Sequence, residues 1–279
     1  MKALEEDSGD IQLTAAAYSR SGGSHLRLDL LDGEKTVSTL RELKPDLIIH
    51  TAAERRPDAV AADPQKAEKL NVGVVQTLAA EAEKLGAALI YISTDYVFDG
   101  TEPPYGIEAS PNPLNDYGRM KLDGELIALT GCSHTIVLRV PILYGDSRDL
   151  SESAVTSIAL AIKRDEQSYH DDFAIRYPTH TADVAGVIRD MARRIRSGKG
   201  SYGIFHWSAE TACTKYGMAL IMASVMGIDR RLILPAEPDE NAAPRPENAH
   251  LDTSRLRSLG IGSERDFETE IKAIIENAE

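Results

Sequence analysis

Short apolar runs alternate with amphipathic stretches through the first half of the 279-residue chain. Nearly continuous apolar runs are typical of strands buried on both faces of a parallel sheet, and apolar residues at helical spacing follow most of these runs. The predicted strands span 11–18, 26–32, 45–53, 87–92 and 134–140, and the predicted helices span 33–43, a stretch after Pro57 that contains Asn71 and ends near Gly86, and 117–130. Asp32 is the predicted N-cap of the first helix. This alternation predicts βαβ units with right-handed crossovers in a parallel sheet.

The pattern changes after about residue 146. Longer polar helices, a strand-like segment at 203–208 and an irregular, proline-containing loop at 239–248 predict a smaller lobe. Two short amphipathic helices are predicted at 254–261 and 267–277. We therefore expect an α/β fold with a doubly wound, Rossmann-like parallel sheet over residues 1–145. A small α/β lobe would cover 146–279, with some of its segments returning to the sheet.

Charge and hydrophobicity restrict the class of protein. A formal net charge of −13 and a pI near 5.1 disfavour nucleic acid and anionic membranes as partners, because phosphate binding needs a basic face. The hydrophobic content of 42% supports a full-sized core, and no apolar run is long enough to span a membrane. The acidic, polar beginning of the sequence is unlike a signal peptide. We expect a cytoplasmic protein.

The cysteines add little chemistry to this picture. Cys132 and Cys213 are far apart in the sequence, and neither belongs to a C-x-x-C pair. We predict that both are free thiols in a reducing compartment and that the chain holds no metal ion.

The candidate chemistry lies in the segment YISTDYVFDG, residues 91–100, and in the tyrosine and lysine that follow it. Thr94 lies at the end of a predicted parallel strand, where open α/β sheets bind their ligands. Tyr117 and Lys121 are four residues apart and share one helix face, so that the ammonium favours the phenolate. The tyrosine is then suited to acid–base catalysis while the Thr94 hydroxyl polarises a carbonyl oxygen.

A Y-x-x-x-K pair alone is weak, because most chance occurrences on exposed helices are solvated surface. In this chain S-T-D-Y stands before the pair at the right distance, and a predicted buried strand ending in P-I-L-Y-G stands after it. The combination predicts a hydride-transfer site.

These segments carry a resemblance to a known family. The chain resembles the extended short-chain dehydrogenases/reductases, close to the dTDP-4-dehydrorhamnose reductases, and within that group it is most similar to the regulatory beta subunits of methionine adenosyltransferase. The matching segments are HTAAERRPDAV (50–60), LNV (70–72), YISTDYVFDGTEPPY (91–105), P-x-x-x-Y-G-x-x-K-L-D-G-E (113–125), LRVPILYG (138–145), ESAVT (152–156), RYPTHTADVA (176–185), GIFHWS (203–208), TKY (214–216) and RPENAHLDTSRLRSLGIG (245–262).

The reductases as a whole share STDYVFDG and Y-x-x-x-K. The segments that point to the beta subunits are A-E-R-R-P-D, E-S-A-V-T, P-T-H, F-H-W-S and R-P-x-N-A-x-L-D. The resemblance covers about residues 14–265, and the combination of segments is highly specific.

The resemblance implies roles for individual residues. Tyr117 and Lys121 correspond to the catalytic tyrosine and lysine, and Thr94 corresponds to the carbonyl-polarising hydroxyl. Arg20 stands where the family meets an adenosine 2′-phosphate, so NADP is favoured over NAD. The remaining cofactor-binding residues that the resemblance implies are Asp29 and Leu30 at the adenine, Thr51, Ala52, Ala53 and Arg55 at the pyrophosphate and ribose, and Pro141 through Leu143 at the nicotinamide, with Tyr117 and Lys121 beside them.

Each of these assignments has a plainer alternative. Arg20 is equally well explained as a surface loop arginine, and Asp29 with Leu30 as an ordinary strand end. Ala52 and Ala53 are also explained as small residues that permit close packing. His180, His206 and Trp207 are better explained as core or lobe-interface residues than as ligands, and Asp95 as a cap of the following loop.

The sequence departs from the family at its beginning. The family opens with a strand and a G-x-x-G-x-x-G turn whose amides hold the pyrophosphate, and this sequence contains neither. Gly22 and Gly23 follow the wrong strand and form a loop. In the strand order 3-2-1-4-5-6 the missing strand is central, between the predicted strands 11–18 and 45–53.

Two explanations compete for this departure. Either the chain is a truncated form of a normal family member, or the two flanking strands close the gap and dinucleotide binding is lost; the first is favoured. With either explanation we predict that this polypeptide binds NADP poorly.

Two functions are therefore expected from different classes. The first is a regulatory subunit that binds the catalytic subunit of methionine adenosyltransferase and modulates S-adenosylmethionine synthesis. The alternative is an NADPH-dependent reductase of a nucleotide-linked keto sugar that uses Thr94, Tyr117 and Lys121. In the beta subunits a further C-terminal tail reaches the catalytic partner, whereas this sequence stops at Glu279, so we do not expect that contact to be retained unchanged.

Overall fold

The computed structural model describes residues 12–18, 25–146, 149–237 and 242–278. Its strands are β1 (Ala16–Ala17), β2 (Leu26–Arg27), β3 (Leu47–His50), β4 (Ala88–Thr94), β5 (Thr135–Val140), β6 (Leu143–Tyr144), β7 (Ser168–Asp171), β8 (Thr179–His180), β9 (Gly203–His206) and β10 (Ile233–Ala236). Its α-helices are α1 (Gly33–Leu43), α2 (Pro57–Ala62), α3 (Pro64–Glu68), α4 (Val74–Leu85), α5 (Asp116–Gly131), α6 (Ser157–Ala161), α7 (Thr181–Arg196), α8 (Lys215–Val225), α9 (Ser254–Ser258) and α10 (Phe267–Glu276). A π-helix covers Lys69–Gly73, and 3-10 helices cover Asp95–Val97, Leu150–Glu152 and Arg230–Leu232.

The described residues separate into two compact units. The first unit takes its described residues from the segments Met1–Thr94, Asn115–Leu138 and Ala185–Phe205, and the second from Asp95–Leu114, Arg139–Val184 and His206–Glu279. A segment from the later part of the chain, Ala185–Phe205, thus belongs to the first unit. The predicted division of the chain at residue 145 stays a prediction.

The largest sheet has the strand order β3-β4-β5-β9. β3 and β4 are parallel, with Leu47 opposite Ala88 and His50 opposite Tyr91. Nearly every residue of β4 and β5 is buried, as expected for sheet strands that are covered on both faces. Helix α4 lies between β3 and β4 in the sequence, and helix α5 lies between β4 and β5, which makes two successive strand–helix–strand units. The predicted α/β fold with parallel sheets is confirmed.

The first two strands form a sheet of their own. β1 and β2 are parallel, with Ala16 opposite Leu26, and among the described strands β1 pairs with β2 and not with β3. Both strands are shorter than the predicted 11–18 and 26–32, and Ile11 lies outside the described residues. After β2 the Asp29 carboxylate accepts a hydrogen bond from the Leu31 N–H at 2.9 Å, and this turn ends the strand.

Two side chains fix the helix starts as capping rules require. The Asp32 carboxylate accepts from the Lys35 N–H at 2.9 Å, which confirms the predicted N-cap of α1. The Asn115 side chain accepts from the Gly118 N–H at 2.9 Å and so sets the register of α5. Tyr117 and Lys121 consequently lie in the first two turns of α5.

The long helix predicted after Pro57 is interrupted. It comprises α2, α3, the π-helix Lys69–Gly73 and α4, because Asp63 caps a new helix and Pro64 occupies its first position. Asn71 lies in the π-helix and is only 1% exposed. Its Oδ1 accepts from the Glu54 N–H at 2.9 Å, and its Nδ2 donates to the Glu54 carbonyl oxygen at 3.0 Å. This pair of bonds anchors the loop that follows β3.

The second unit buries a core of its own. Apolar side chains from its helices and short strands make up the core: Tyr144, Val155, Ile158, Met218, Met222, Ile233, Phe267, Ile271 and Ile274. The Asp183 carboxylate accepts one hydrogen bond, from the main-chain N–H of Arg265, at 3.0 Å and faces the guanidinium of Arg265 at 3.2 Å, just before α10 begins. None of the helices in the described part of the chain is long and apolar enough to cross a membrane.

Replacement of Asn71 tests the anchor of the loop after β3. We expect Asn71→Ala to lower the free energy of unfolding by about 1–3 kcal/mol, because the partly buried N–H and C=O of Glu54 lose their partners. Urea unfolding followed by circular dichroism measures this change. Gln76→Ala, on the exposed side of the next helix, is the matched control. Equal unfolding midpoints for the two variants would contradict the assignment.

Candidate functional site

The carboxyl ends of β3 and β4 lie at the same edge of the sheet, because the two strands are parallel. Thr94 is the last residue of β4 and is buried, and Thr51 follows β3 directly. In open α/β sheets this edge is where ligands bind. The edge is therefore the candidate functional site, and its described residues belong to the first unit.

Lys121 is the central charged residue of the site. It lies on α5, is 3% exposed, and places its Nζ 3.9 Å from the centroid of the Tyr91 ring. An ammonium above the face of an aromatic ring is attracted by the ring quadrupole. Burial lowers the pKa of Lys121 to about 7, and the nearby Glu125 carboxylate acts in the opposite direction.

Glu125 supplies the negative charge that a buried lysine needs. It is 2% exposed and follows Lys121 by one helical turn. The Ser93 hydroxyl donates to its Oε1 at 2.5 Å. Ser93 stands next to Thr94 in β4, so the strand that carries the candidate catalytic hydroxyl also fixes this carboxylate.

Two aromatic side chains complete the buried part of the site. The rings of His50 and Tyr91 stack with centroids 5.9 Å apart and an interplanar angle of 21°. Burial, together with the charge on Lys121, lowers the pKa of His50 to about 3, so the imidazole is neutral at neutral pH. Burial also raises the pKa of Tyr91 well above its ordinary value, so the phenol keeps its proton. That hydroxyl lies 3.4 Å from the Lys121 carbonyl oxygen, to which it donates.

Tyr117 lies half-buried in the first turn of α5. Its separation from Lys121 places both residues on one face of the helix. It is close enough to Tyr91 for its charge to influence the pKa of that phenol. Thr94, Tyr117 and Lys121 thus lie in one unit, and their catalytic roles stay predictions.

The residues implied at the adenine end lie next to β2. Asp29 is exposed, and its carboxylate is engaged by the Leu31 N–H. Leu30 is partly buried and packs against the core of the first unit, as an ordinary strand end does. Arg20, Gly22 and Gly23 lie outside the described residues.

The other implied cofactor residues divide between the two units. In the first unit, the loop after β3 leaves some side chains exposed and others partly buried: Thr51, Ala52, Ala53 and Arg55. Asn71 anchors this loop through Glu54. In the second unit, Pro141 is buried directly after β5 and Leu143 begins β6. Their roles also stay predictions.

The sequence patterns assigned no role to Tyr91, Ser93 and Glu125. The available signal was weak: Tyr91 interrupts an apolar strand, and Glu125 follows the lysine at i,i+4 in the matched motif. Only the packing of α5 against β4 shows that Tyr91 meets Lys121 and that Ser93 meets Glu125.

A second glycine pattern also appears in the chain. Gly198, Gly200 and Gly203 have the spacing G-x-G-x-x-G. In a dinucleotide site such a loop leads from a strand into a helix, whose N-terminus faces the pyrophosphate. Here the segment leads from α7 into β9, the reverse order, and it therefore offers no helix N-terminus to a phosphate.

The sequence and the fold match known proteins. The model of the family described as RmlD substrate binding domain matches residues 3–279. Methionine adenosyltransferase 2 subunit beta of Mus musculus is 44% identical over 257 residues, which are 91% of this chain and 77% of that protein. A dTDP-4-dehydrorhamnose reductase of Sinorhizobium fredii is 33% identical in a match 274 positions long, which covers 93% of this chain and 91% of that protein.

Among solved structures, a dTDP-4-dehydrorhamnose reductase of Bacillus anthracis in complex with NADP has a TM-score of 0.79 and 26% identity. The match covers 90% of this chain and 86% of that one. The family model matches nearly the whole chain, and the mouse and Sinorhizobium relatives cover most of it as well. The chain therefore belongs to the family of the RmlD substrate binding domain and is a relative of the methionine adenosyltransferase 2 beta subunits.

Proposed function

We propose that this chain is a regulatory subunit of methionine adenosyltransferase, which binds the catalytic subunit and modulates S-adenosylmethionine synthesis in the cytoplasm. The observation that carries the proposal is its 44% identity to a beta subunit over 91% of the chain. Its identity to a reductase over a similar length is lower, at 33%. The A-E-R-R-P-D, E-S-A-V-T and F-H-W-S segments support the same choice.

We further propose that the edge of β3 and β4 corresponds to the nicotinamide side of the family's dinucleotide site, in a sequence that lacks the glycine turn for the pyrophosphate. The residues present fit the nicotinamide side of such a cofactor, because the buried hydroxyl of Thr94 ends β4 and the buried Lys121 lies on α5 against Tyr91 of the same strand. The similar Bacillus anthracis reductase is a complex with NADP, which supports NADP as the cofactor class. When bound, the cofactor would supply or accept a hydride.

The roles of the chain's own residues follow from their chemistry. Tyr117 would hold the proton that a reduced carbonyl oxygen takes up, and Thr94 would orient that oxygen by a hydrogen bond. The Lys121 ammonium would bind hydroxyl groups and favour the phenolate of Tyr117. These three residues would act on a bound ligand even where no reduction takes place, by positioning it.

The alternative function is an NADPH-dependent reductase of a nucleotide-linked keto sugar. The presence of Thr94, Tyr117 and Lys121 together favours it, as does the 33% identity to dTDP-4-dehydrorhamnose reductase. NADPH oxidation in the presence of a dTDP-linked 4-keto sugar, abolished by Tyr117→Phe, would support this alternative over the first.

Assembly with the adenosyltransferase is the most direct test of the proposed partner. We expect the chain to co-elute with a recombinant methionine adenosyltransferase 2 catalytic subunit in size-exclusion chromatography with light scattering. The matched control is the Sinorhizobium protein, a relative that is named as a reductase and not as a beta subunit. It should elute separately from the catalytic subunit. Separate elution of this chain at concentrations well above micromolar would contradict the proposal.

Cofactor affinity provides a second test. We expect this polypeptide to bind NADPH more weakly than micromolar, because its sequence offers no G-x-x-G-x-x-G turn to the pyrophosphate. Isothermal titration calorimetry measures the affinity, with the Sinorhizobium reductase as the positive control. Micromolar or tighter binding that Lys121→Met weakens would overturn the expectation and show that other residues hold the phosphates.

A further inference from the structure

We propose that Tyr91 is a positioning residue for Lys121: its ring holds the lysine ammonium over its face, and Glu125, fixed by Ser93, supplies the counter-charge. The proposal goes beyond the regulatory function and does not depend on it. It concerns the isolated chain, and all of the residues it uses lie in the first unit.

The geometry places the Lys121 ammonium against a ring face, with a carboxylate one helical turn away. The Lys121 Nζ lies 3.9 Å from the Tyr91 ring centroid, well within the range of about 6 Å in which ring and cation attract each other. Glu125 extends from the next turn of the same helix, and the Ser93 hydroxyl binds it at 2.5 Å. A buried lysine needs such compensation, because transfer of a charge out of water is costly.

The Tyr91 ring is itself fixed in place. Its hydroxyl donates to the Lys121 carbonyl oxygen at 3.4 Å, and His50 stacks beside it from the neighbouring strand. Gly124 makes room for it: a Cβ at this position would overlap the Tyr91 hydroxyl and lie 3.2 Å from the Asn71 carbonyl oxygen. The glycine of the motif K-L-D-G-E is therefore a requirement of ring placement.

The charge state of each ionisable group around Lys121 determines whether that group raises the pKa of the lysine. On α5, Glu125 favours the ammonium; on β3, the neutral His50 adds no competing positive charge. On β4, Tyr91 keeps its proton, since burial and the charges of Glu125, Tyr117 and Asp123 all raise its pKa. The contribution of Tyr91 to Lys121 is therefore that of a neutral ring face, and a phenylalanine at position 91 would retain it.

Direct titration of Lys121 tests the proposal. The chain is labelled with 13Cε-lysine, and the Lys121 signal is assigned by its loss in Lys121→Met. The pKa of Lys121 is then read from the chemical shift over about six pH units, between pH 5 and 11, a range that includes the reference pKa of lysine. We expect Tyr91→Phe to leave the pKa of Lys121 nearly unchanged. Tyr91→Leu removes the ring and should lower the pKa by about one unit, a roughly tenfold loss of proton affinity.

A graded series covers the case in which Tyr91→Leu does not fold. Phenylalanines with increasing fluorination at position 91 keep the ring shape and weaken the quadrupole stepwise, so the pKa of Lys121 should fall with each step. Glu125→Gln should lower it as well, independently of the ring. A pKa that stays constant across the fluorinated series, or that Tyr91→Phe changes as much as Tyr91→Leu, would overturn the proposal.

This readout is separate from the proposed function. A chain that fails to bind the adenosyltransferase or NADPH can still show the predicted titration of Lys121. Conversely, assembly with the adenosyltransferase can persist when the fluorinated series shows no change. The two failures are therefore distinguishable.

Discussion

A lysine ammonium removed from water is the constraint on which the site depends. Lys121 is buried against the Tyr91 ring, and Glu125, held by the Ser93 hydroxyl, provides the opposite charge. Removing one partner of such a group costs far more than the group contributes, because a buried charge is left without compensation. Strand β4 and helix α5 must therefore keep one relative position, which also fixes Thr94 and Tyr117 on their elements.

This constraint explains how Lys121 can be retained whether or not the chain reduces a substrate. Ser93, Glu125, Tyr91 and Lys121 satisfy one another inside the first unit, so each contributes to folding whether or not a hydride is transferred. Their presence is consequently weak support for catalysis. Thr94 and Tyr117 carry the two acid–base and hydrogen-bonding roles that the resemblance implies. Their chemistry has to be tested by activity.

Local patterns were sufficient for much of the fold but not for the contacts of the site. The apolar runs predicted β3, β4 and β5, and Asp32 was predicted as the cap of α1. Both predictions succeed because strand burial and helix capping depend on residues that are close together in the sequence. The π-helix around Asn71 was not predicted, and the bonds that Asn71 makes to Glu54 join residues seventeen positions apart, which local patterns do not reveal. Tyr91 was likewise missed because its partner Lys121 lies thirty residues further along the chain.

The central claim is that this family member regulates an adenosyltransferase on a reductase scaffold. The most direct measurement is the rate of S-adenosylmethionine formation by the catalytic subunit, with and without this chain and its Tyr117→Phe variant. The account predicts that the chain changes the rate and that the variant changes it equally, because no proton transfer by Tyr117 is needed. An unchanged rate, combined with Tyr117-dependent NADPH oxidation on a dTDP-linked keto sugar, would contradict it.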